Sequence, residues 1–250
     1  MNYQVFDVDL NFYYKDLHIF IPVVGTLISF IIFWFAWQSD KLKQRLIDQN
    51  GHDWGSAKLV IYTKILGGLS MGLLPAIAYL IAFPETTLKD FGWTLPSETL
   101  FATLVWSVGL GLLMIVLVSN NAKKPASLQF YPQIRAKTWT PKMLRGSILG
   151  WTVYLLGYEA LFRGVLFFPL VEHIGLWPAI GVNIGLYSGT HIPKGLKETI
   201  GAIPLSIALC LLCVQTGNIW IAVIVHIAMA WTNVLVSLKH NPEMELVKEA

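Results

Sequence analysis

The sequence predicts an all-α protein, a polytopic bundle of about seven transmembrane helices. Three observations carry that reading. Hydrophobic residues make up 55% of the 250 positions and charged residues only 13%, against about 25% charged in a soluble domain. The mean hydropathy is +0.58. Apolar runs of the length that crosses a bilayer, about 20 residues, alternate with loops that hold most of the charge. The length suits one compact bundle without a second folded module. A net charge of +3 is small, and the basic residues are scattered over loops. The lipid bilayer is therefore an expected partner and nucleic acid is not.

In chain order, the segment from Met1 to His18 carries Asp7, Asp9, Lys15 and Asp16 among several aromatics. It lacks the basic n-region and small-residue cleavage site of a signal peptide. It reads as an interfacial lead into an uncleaved first span, about 19–38. A polar loop with Lys41, Lys43, Arg45, Asp48 and Asp53 follows. The second span, about 58–83, contains GGLSMG, small residues that let helices approach closely, and Pro84 ends it. The third covers about 100–118. The most basic loop comes next, with Lys123, Lys124, Arg135, Lys137 and Lys142, and with Phe130, Tyr131 and Trp139 at interfacial depth. Spans four to seven cover about 143–169, 176–190, 199–214 and 219–238. The fifth is short, and Pro193 redirects the chain after it. The tail KHNPEMELVKEA reads as polar and exposed.

Seven spans place Lys41, Lys43, Arg45, the Lys123–Lys142 cluster, Lys194, Lys197, Lys239 and Lys248 on one side. Only Lys15 and Lys89 fall on the other. Basic loops stay cytoplasmic, so the expected orientation is N-terminus outside and C-terminus in the cytoplasm. No internal repeat is evident, which counts against a transporter built from inverted repeats.

Within span four, GYEALFRGVLFF sets Glu159 and Arg163 in an otherwise apolar run. An ionised side chain at the bilayer centre costs roughly 2.5–3.5 kcal/mol on insertion scales, so such residues face a protein interior or a wet cavity. The i, i+4 spacing puts both on one helical face. Glu159 reads either as a general acid or base or as one half of an internal ion pair with Arg163. His191, at the end of span five, lies where free helix carbonyls can fix a ring tautomer. His226 lies about two turns into span seven. Each histidine alone reads as structural, but a glutamate and two histidines on three separate spans can activate water. His18, His52, His173 and His240 lie in loops or tails and receive no role. Cys210 and Cys213 form C-x-x-C, a spacing used by redox and metal sites. Their neighbours in LSIALCLLCVQ are apolar, so they read as packing residues.

Glu-x-x-x-Arg-Gly in span four, Tyr187-x-x-x-His191 in span five and a further histidine in a later span resemble the CPBP family. That family comprises the CAAX prenyl endopeptidases and bacteriocin-processing enzymes, also called Abi intramembrane proteases. The resemblance covers about 143–238, leaving 1–142 as N-terminal spans and loops and 239–250 as the polar tail. It implies an intramembrane endopeptidase, in a bacterial cytoplasmic membrane, that cleaves a peptide or membrane-protein substrate. Catalysis would rest on Glu159, His191 and His226, with Glu159 assisting the water, His191 orienting it, His226 stabilising the oxyanion and Arg163 positioning Glu159. The chain departs from the family pattern at two places. Tyr158 stands where the motif usually has a first glutamate, and Ala230 stands where the third motif usually has Asn or Asp. Asn233 is the nearest amide, and Glu198, in His191-Ile-Pro-Lys194-x-x-x-Glu198, is a candidate stand-in for the missing carboxylate. Two histidines and a glutamate also match a zinc ligand set in type, so zinc and metal-free water activation both stay open. The rival readings are a catalytically inactive binding or immunity protein on the same bundle and a small proton-coupled transporter.

Overall fold

The computed structural model describes residues 9–247. The expectations made for Met1 to Val8 and for Lys248 lie outside them. A single turn at Tyr14–Asp16 leads into α1 (Leu17–Trp37), followed by α2 (Asp40–Ala82), α3 (Ser97–Ala122) and the short α4 (Pro125–Leu128). After β1 (Thr138–Trp139) come α5 (Pro141–Glu159), a π-helical segment (Ala160–Val165), α6 (Phe167–Ile174), α7 (Leu176–Gly189), α8 (Leu196–Thr216), α9 (Trp220–His240) and β2 (Glu245–Leu246). The molecule is an all-α bundle, with six stretches long and apolar enough to cross a membrane among the described residues.

The fifth span expected from the sequence is the exception. α7 has 14 residues, which at 1.5 Å per residue covers about 21 Å, short of the roughly 30 Å hydrocarbon core. It is bounded by Gly175, whose φ of +82° turns the chain sharply after α6, and by the turn that runs into Pro193. Contacts at the two ends of the bundle show that α7 still runs from one end to the other. At the first end the His18 ring stacks on Phe83 and on His173, with centroids 3.6 and 3.9 Å away. There too the amide of Ile219 donates to the carbonyl of Gly92 at 3.2 Å, and Thr99 Oγ1 donates to the Thr216 carbonyl at 2.6 Å. At the second end the Asp53 carboxylate accepts from the amides of Lys137 and Thr138 at 3.1 and 3.0 Å. α6 ends at the first end and α8 starts at the second, so the chain between them must connect the two.

Two local departures from the sequence reading have simple causes. Residues 41–53 were expected to be a loop. They are helical, and the chain turns at Gly51, whose φ of +74° and ψ of 169° break α2 internally. The turn folds residues 40–50 back, so that a Cβ added at Gly55 would lie 2.6 Å from the Ile47 Cα. The tail was expected to be polar and exposed, and no pairing was foreseen for it. Instead β2 pairs in parallel with β1, Thr138 opposite Glu245 and Trp139 opposite Leu246. Backbone pairing docks it while the side chains of Glu245 and Leu246 stay exposed.

The site is positioned by the contact between α2 and α5. A Cβ on Gly157 would stand 1.8 Å from the Gly68 carbonyl oxygen, and one on Gly68 would stand 2.3 Å from that of Val153. Backbone therefore meets backbone, the close approach that the small residues of GGLSMG were expected to allow. Glu159 is two residues beyond this contact.

Candidate active site

The helix of α5 does not stop at Glu159. It widens by one residue over Ala160–Val165, where the Leu166 amide donates to the Leu161 carbonyl, five residues back, at 2.8 Å. Single π turns of this kind are common at functional sites. The widening releases the Phe162 carbonyl from the regular ladder, and it accepts from Asn183 Nδ2 of α7 at 2.5 Å. α7 is thereby pinned to the turn that carries Glu159 and Arg163.

Glu159 and Arg163 are fully buried and His226 is 8% exposed. Arg163 Nη1 lies 3.2 Å from Glu159 Oε2, and His226 Nδ1 lies 2.7 Å from Glu159 Oε1. On its far side His226 Nε2 is 3.0 Å from the Tyr187 hydroxyl. A carboxylate paired with Arg163 can only accept, so the imidazole proton sits on Nδ1. Nε2 is then an acceptor, and Tyr187 donates to it. The order is guanidinium, carboxylate, imidazole, phenol. Arg163 is held from three directions: its guanidinium carbon lies 4.3 Å from the Tyr187 ring centroid, and Nη2 donates to Ser206 Oγ at 3.4 Å. Ser206 in turn donates to Asn183 Oδ1 at 3.1 Å.

His191 stands on the other side of Tyr187, with ring centroids 4.9 Å apart. Its Nδ1 donates to the Tyr187 carbonyl at 3.1 Å, a carbonyl at the end of α7 that also accepts from the Thr190 amide at 3.2 Å. Nε2 is thus the acceptor nitrogen. Burial, reinforced by the nearby Lys194 charge, lowers the pKa of this half-buried imidazole to about 3, so it is neutral near pH 7. Thr190 Oγ1 also donates to the Tyr187 carbonyl, at 2.8 Å, and is 2.9 Å from the Tyr158 hydroxyl. Tyr158, standing where the family motif usually has glutamate, therefore points toward the His191 turn.

The structure brings Glu159, Arg163 and His226 into direct contact and sets Tyr158 and His191 beside them across Tyr187. It does not bring in Glu198, which is half-buried and 3.9 Å from Lys194. Nor does it bring in Asn233, which accepts from Ser237 one turn further along α9. Cys210 and Cys213 are buried free thiols, and Cys210 Sγ is 3.5 Å from Asn183 Oδ1. Three residues escaped the sequence reading: Asn183 and Ser206, which hold Arg163, and Lys64. The Lys64 ammonium is buried between the rings of Trp151 at 3.7 Å, Tyr154 at 4.0 Å and Phe33 at 5.3 Å. An ionisable residue in an apolar run was the signal for Lys64, as it had been for Glu159.

Zinc does not fit the arrangement. Among the described residues no three His, Cys, Asp or Glu side chains are grouped to hold a metal ion. Both nitrogens of His226 face protein groups, and the guanidinium of Arg163 neutralises the one carboxylate. No step below is routed through a metal.

The bundle thus buries a guanidinium, a carboxylate and an imidazole in contact, ionisable groups of the kind that sit within a membrane at functional sites. Residues 139–232 match the family model described as type II CAAX prenyl endopeptidase Rce1-like, a family of peptide hydrolases, which bears out the CPBP resemblance. The match contains every residue of the buried group, from Tyr158 to His226. No curated protein and no solved structure matches the chain.

Proposed function

We propose that the protein is an intramembrane endopeptidase that hydrolyses a membrane-associated peptide, with His226 as the base that meets water and Glu159 as the carboxylate behind it. The observation that carries this reading is the ordered contact from Arg163 through Glu159 and His226 to Tyr187. A buried carboxylate on one imidazole nitrogen fixes the tautomer and stabilises the imidazolium formed when the other nitrogen takes a proton. Glu159 is thus assigned one step further from the water than the sequence alone suggested.

When substrate enters, the Tyr187 hydroxyl turns from His226 Nε2 toward the scissile carbonyl oxygen. The freed nitrogen takes a proton from water as the water oxygen bonds to the carbonyl carbon. His191, neutral and with Nε2 as acceptor, holds the other hydrogen of that water. Tyr187 donates to the oxyanion, the contribution expected of a donor aimed at developing charge. The C–N bond then breaks, His226 returns its proton to the leaving nitrogen, and the products are an amine and a carboxylic acid, whose remaining proton is then lost to solvent or to the amine. The protein lies in a bacterial cytoplasmic membrane with its first end outside and its second end, which carries the basic loop, in the cytoplasm.

The inactive-relative reading keeps one specific support: Tyr158 occupies a glutamate position and spends its hydroxyl on Thr190. Cleavage of a transmembrane peptide by the purified protein in lipid vesicles, read by mass spectrometry, separates the two. The endopeptidase gives two fragments, and His226→Ala gives none while remaining folded. An intact peptide with the parent protein supports the binding protein instead.

A further inference from the structure

Glu159 is fully buried, and Tyr187, Tyr158 and His226 are at most 8% exposed. A peptide reaches them only if part of the bundle moves aside. Two neighbouring elements are locked. α5 meets α2 backbone to backbone at Gly157 and Gly68. α8 is tied through Ser206, which accepts from Arg163 and donates to Asn183. A third neighbour, the turn from Gly189 to Gly195 after α7, carries His191 and is joined differently. Its ties to other elements are polar side-chain contacts that a hydroxyl can give up.

The sequence builds a hinged segment there. α7 ends at Gly189, and Pro193 has no amide to offer the carbonyl four residues back, so the helix cannot run on. After the short turn Ile192–Lys194 comes Gly195, with φ +96° and ψ 166°, a conformation that glycine adopts most readily. A Cβ added at Gly189 or at Gly195 would meet nothing within 4 Å, so packing leaves both joints free. On its inner side the turn is latched to α5, Thr190 Oγ1 lying 2.9 Å from the Tyr158 hydroxyl. On its outer side Lys194 meets the hydroxyl of Tyr131, a buried residue of the loop before β1. That loop is fastened to α2, where the Arg135 amide donates to Ser56 Oγ at 2.8 Å. The apolar side chains of the segment face outward: Ile192 is 66% exposed and Leu196, just past the second joint, 74%. With Lys194 and Lys197 beside them, they suit a position at the membrane surface.

We propose that the turn from Gly189 to Gly195 is the substrate gate. It swings about its two glycines, releases Tyr158 and Tyr131, and opens a way for a peptide from the membrane surface to His226. Reclosure brings His191 back against Tyr187, so the water that His191 holds is in place only once the substrate is enclosed. What passes the gate rests on the endopeptidase reading, whereas the motion does not. The open form is the minor one, so the rate of any reaction that needs it scales with its population.

The test is the rate at which diethyl pyrocarbonate modifies His191, read by mass spectrometry on the full-length protein in lipid vesicles. Cleavage of the transmembrane peptide is measured in parallel. Tyr131→Phe removes the outer latch and should speed modification of His191 by about two- to tenfold, the span of one net hydrogen bond. Tyr158→Phe removes the inner latch and should do the same. Gly189→Ala fits the closed turn, stiffens the joint and should slow modification by about two- to fivefold. His52, whose side chain is 63% exposed, should react alike in every variant, and thermal unfolding checks that each is folded. Cleavage should follow the His191 rates in the same order. Equal His191 rates in the parent and every folded variant, or cleavage that stays constant while those rates differ, would overturn the gate. If the His191 rates change as expected and neither parent nor variants cleave peptide, the moving turn stands and the endopeptidase reading falls.

Discussion

At the scale of single residues, Glu159 is the pivot because a guanidinium and an imidazole both approach its oxygens. Arg163 takes one side at 3.2 Å and His226 the other at 2.7 Å. Removing one partner of a buried pair leaves an uncompensated charge and costs roughly 3–5 kcal/mol, whereas removing both can be nearly neutral. Arg163→Met should therefore lower the unfolding temperature in detergent more than Arg163→Met combined with Glu159→Gln. Equal temperatures for the two would show that the pair contributes nothing. Glu159, Arg163 and His226 were legible in the sequence because ionisable groups in apolar runs are costly and the i, i+4 spacing fixes their face. The place of His191 just beyond the end of α7 was legible as well, since Pro193 shows where the helix must end. Tyr187 and Asn183 were not legible as partners. A tyrosine or an amide in an apolar run is unremarkable until the packing of three helices decides what its polar atom meets.

At the scale of elements, the α2–α5 contact and the π turn place the site. The contact could be read from GGLSMG, although its counterpart, Gly157, could not. The π turn had no sequence signal, because one extra residue in a helix leaves the apolar pattern nearly unchanged. The break at Gly51 was missed because its flanks are polar and look like loop. Gly157→Ala should destabilise the protein by about 1–3 kcal/mol, as overpacking of a close contact does, and should reduce turnover by displacing Glu159. Gly109→Ala is the control: nothing lies within 4 Å of its added Cβ, and alanine is the better helix former by up to about 1 kcal/mol. Thermal unfolding of both variants checks this, and equal effects would remove the close contact as the determinant.

For the molecule as a whole, the alternation of helices between two ends was readable from Lys and Arg placement, because the same side receives nearly every basic loop. What the sequence could not weigh is the depth of α7, which is too short to span alone and is held by Asn183 on Phe162. Reporter fusions after Gly92 and after Arg135 should report opposite faces, with the Arg135 fusion cytoplasmic. A cytoplasmic signal from both would exclude the proposed topology. The central claim concerns chemistry, and the most direct measurement is the rate of peptide cleavage by Glu159→Gln in lipid vesicles, alongside its unfolding temperature. The amide keeps the shape of the carboxylate but cannot stabilise a protonated His226. By analogy with the loss of the carboxylate behind a catalytic histidine, turnover should fall by about 10⁴-fold, with the fold retained. A folded Glu159→Gln protein that cleaves at the parent rate would contradict the account.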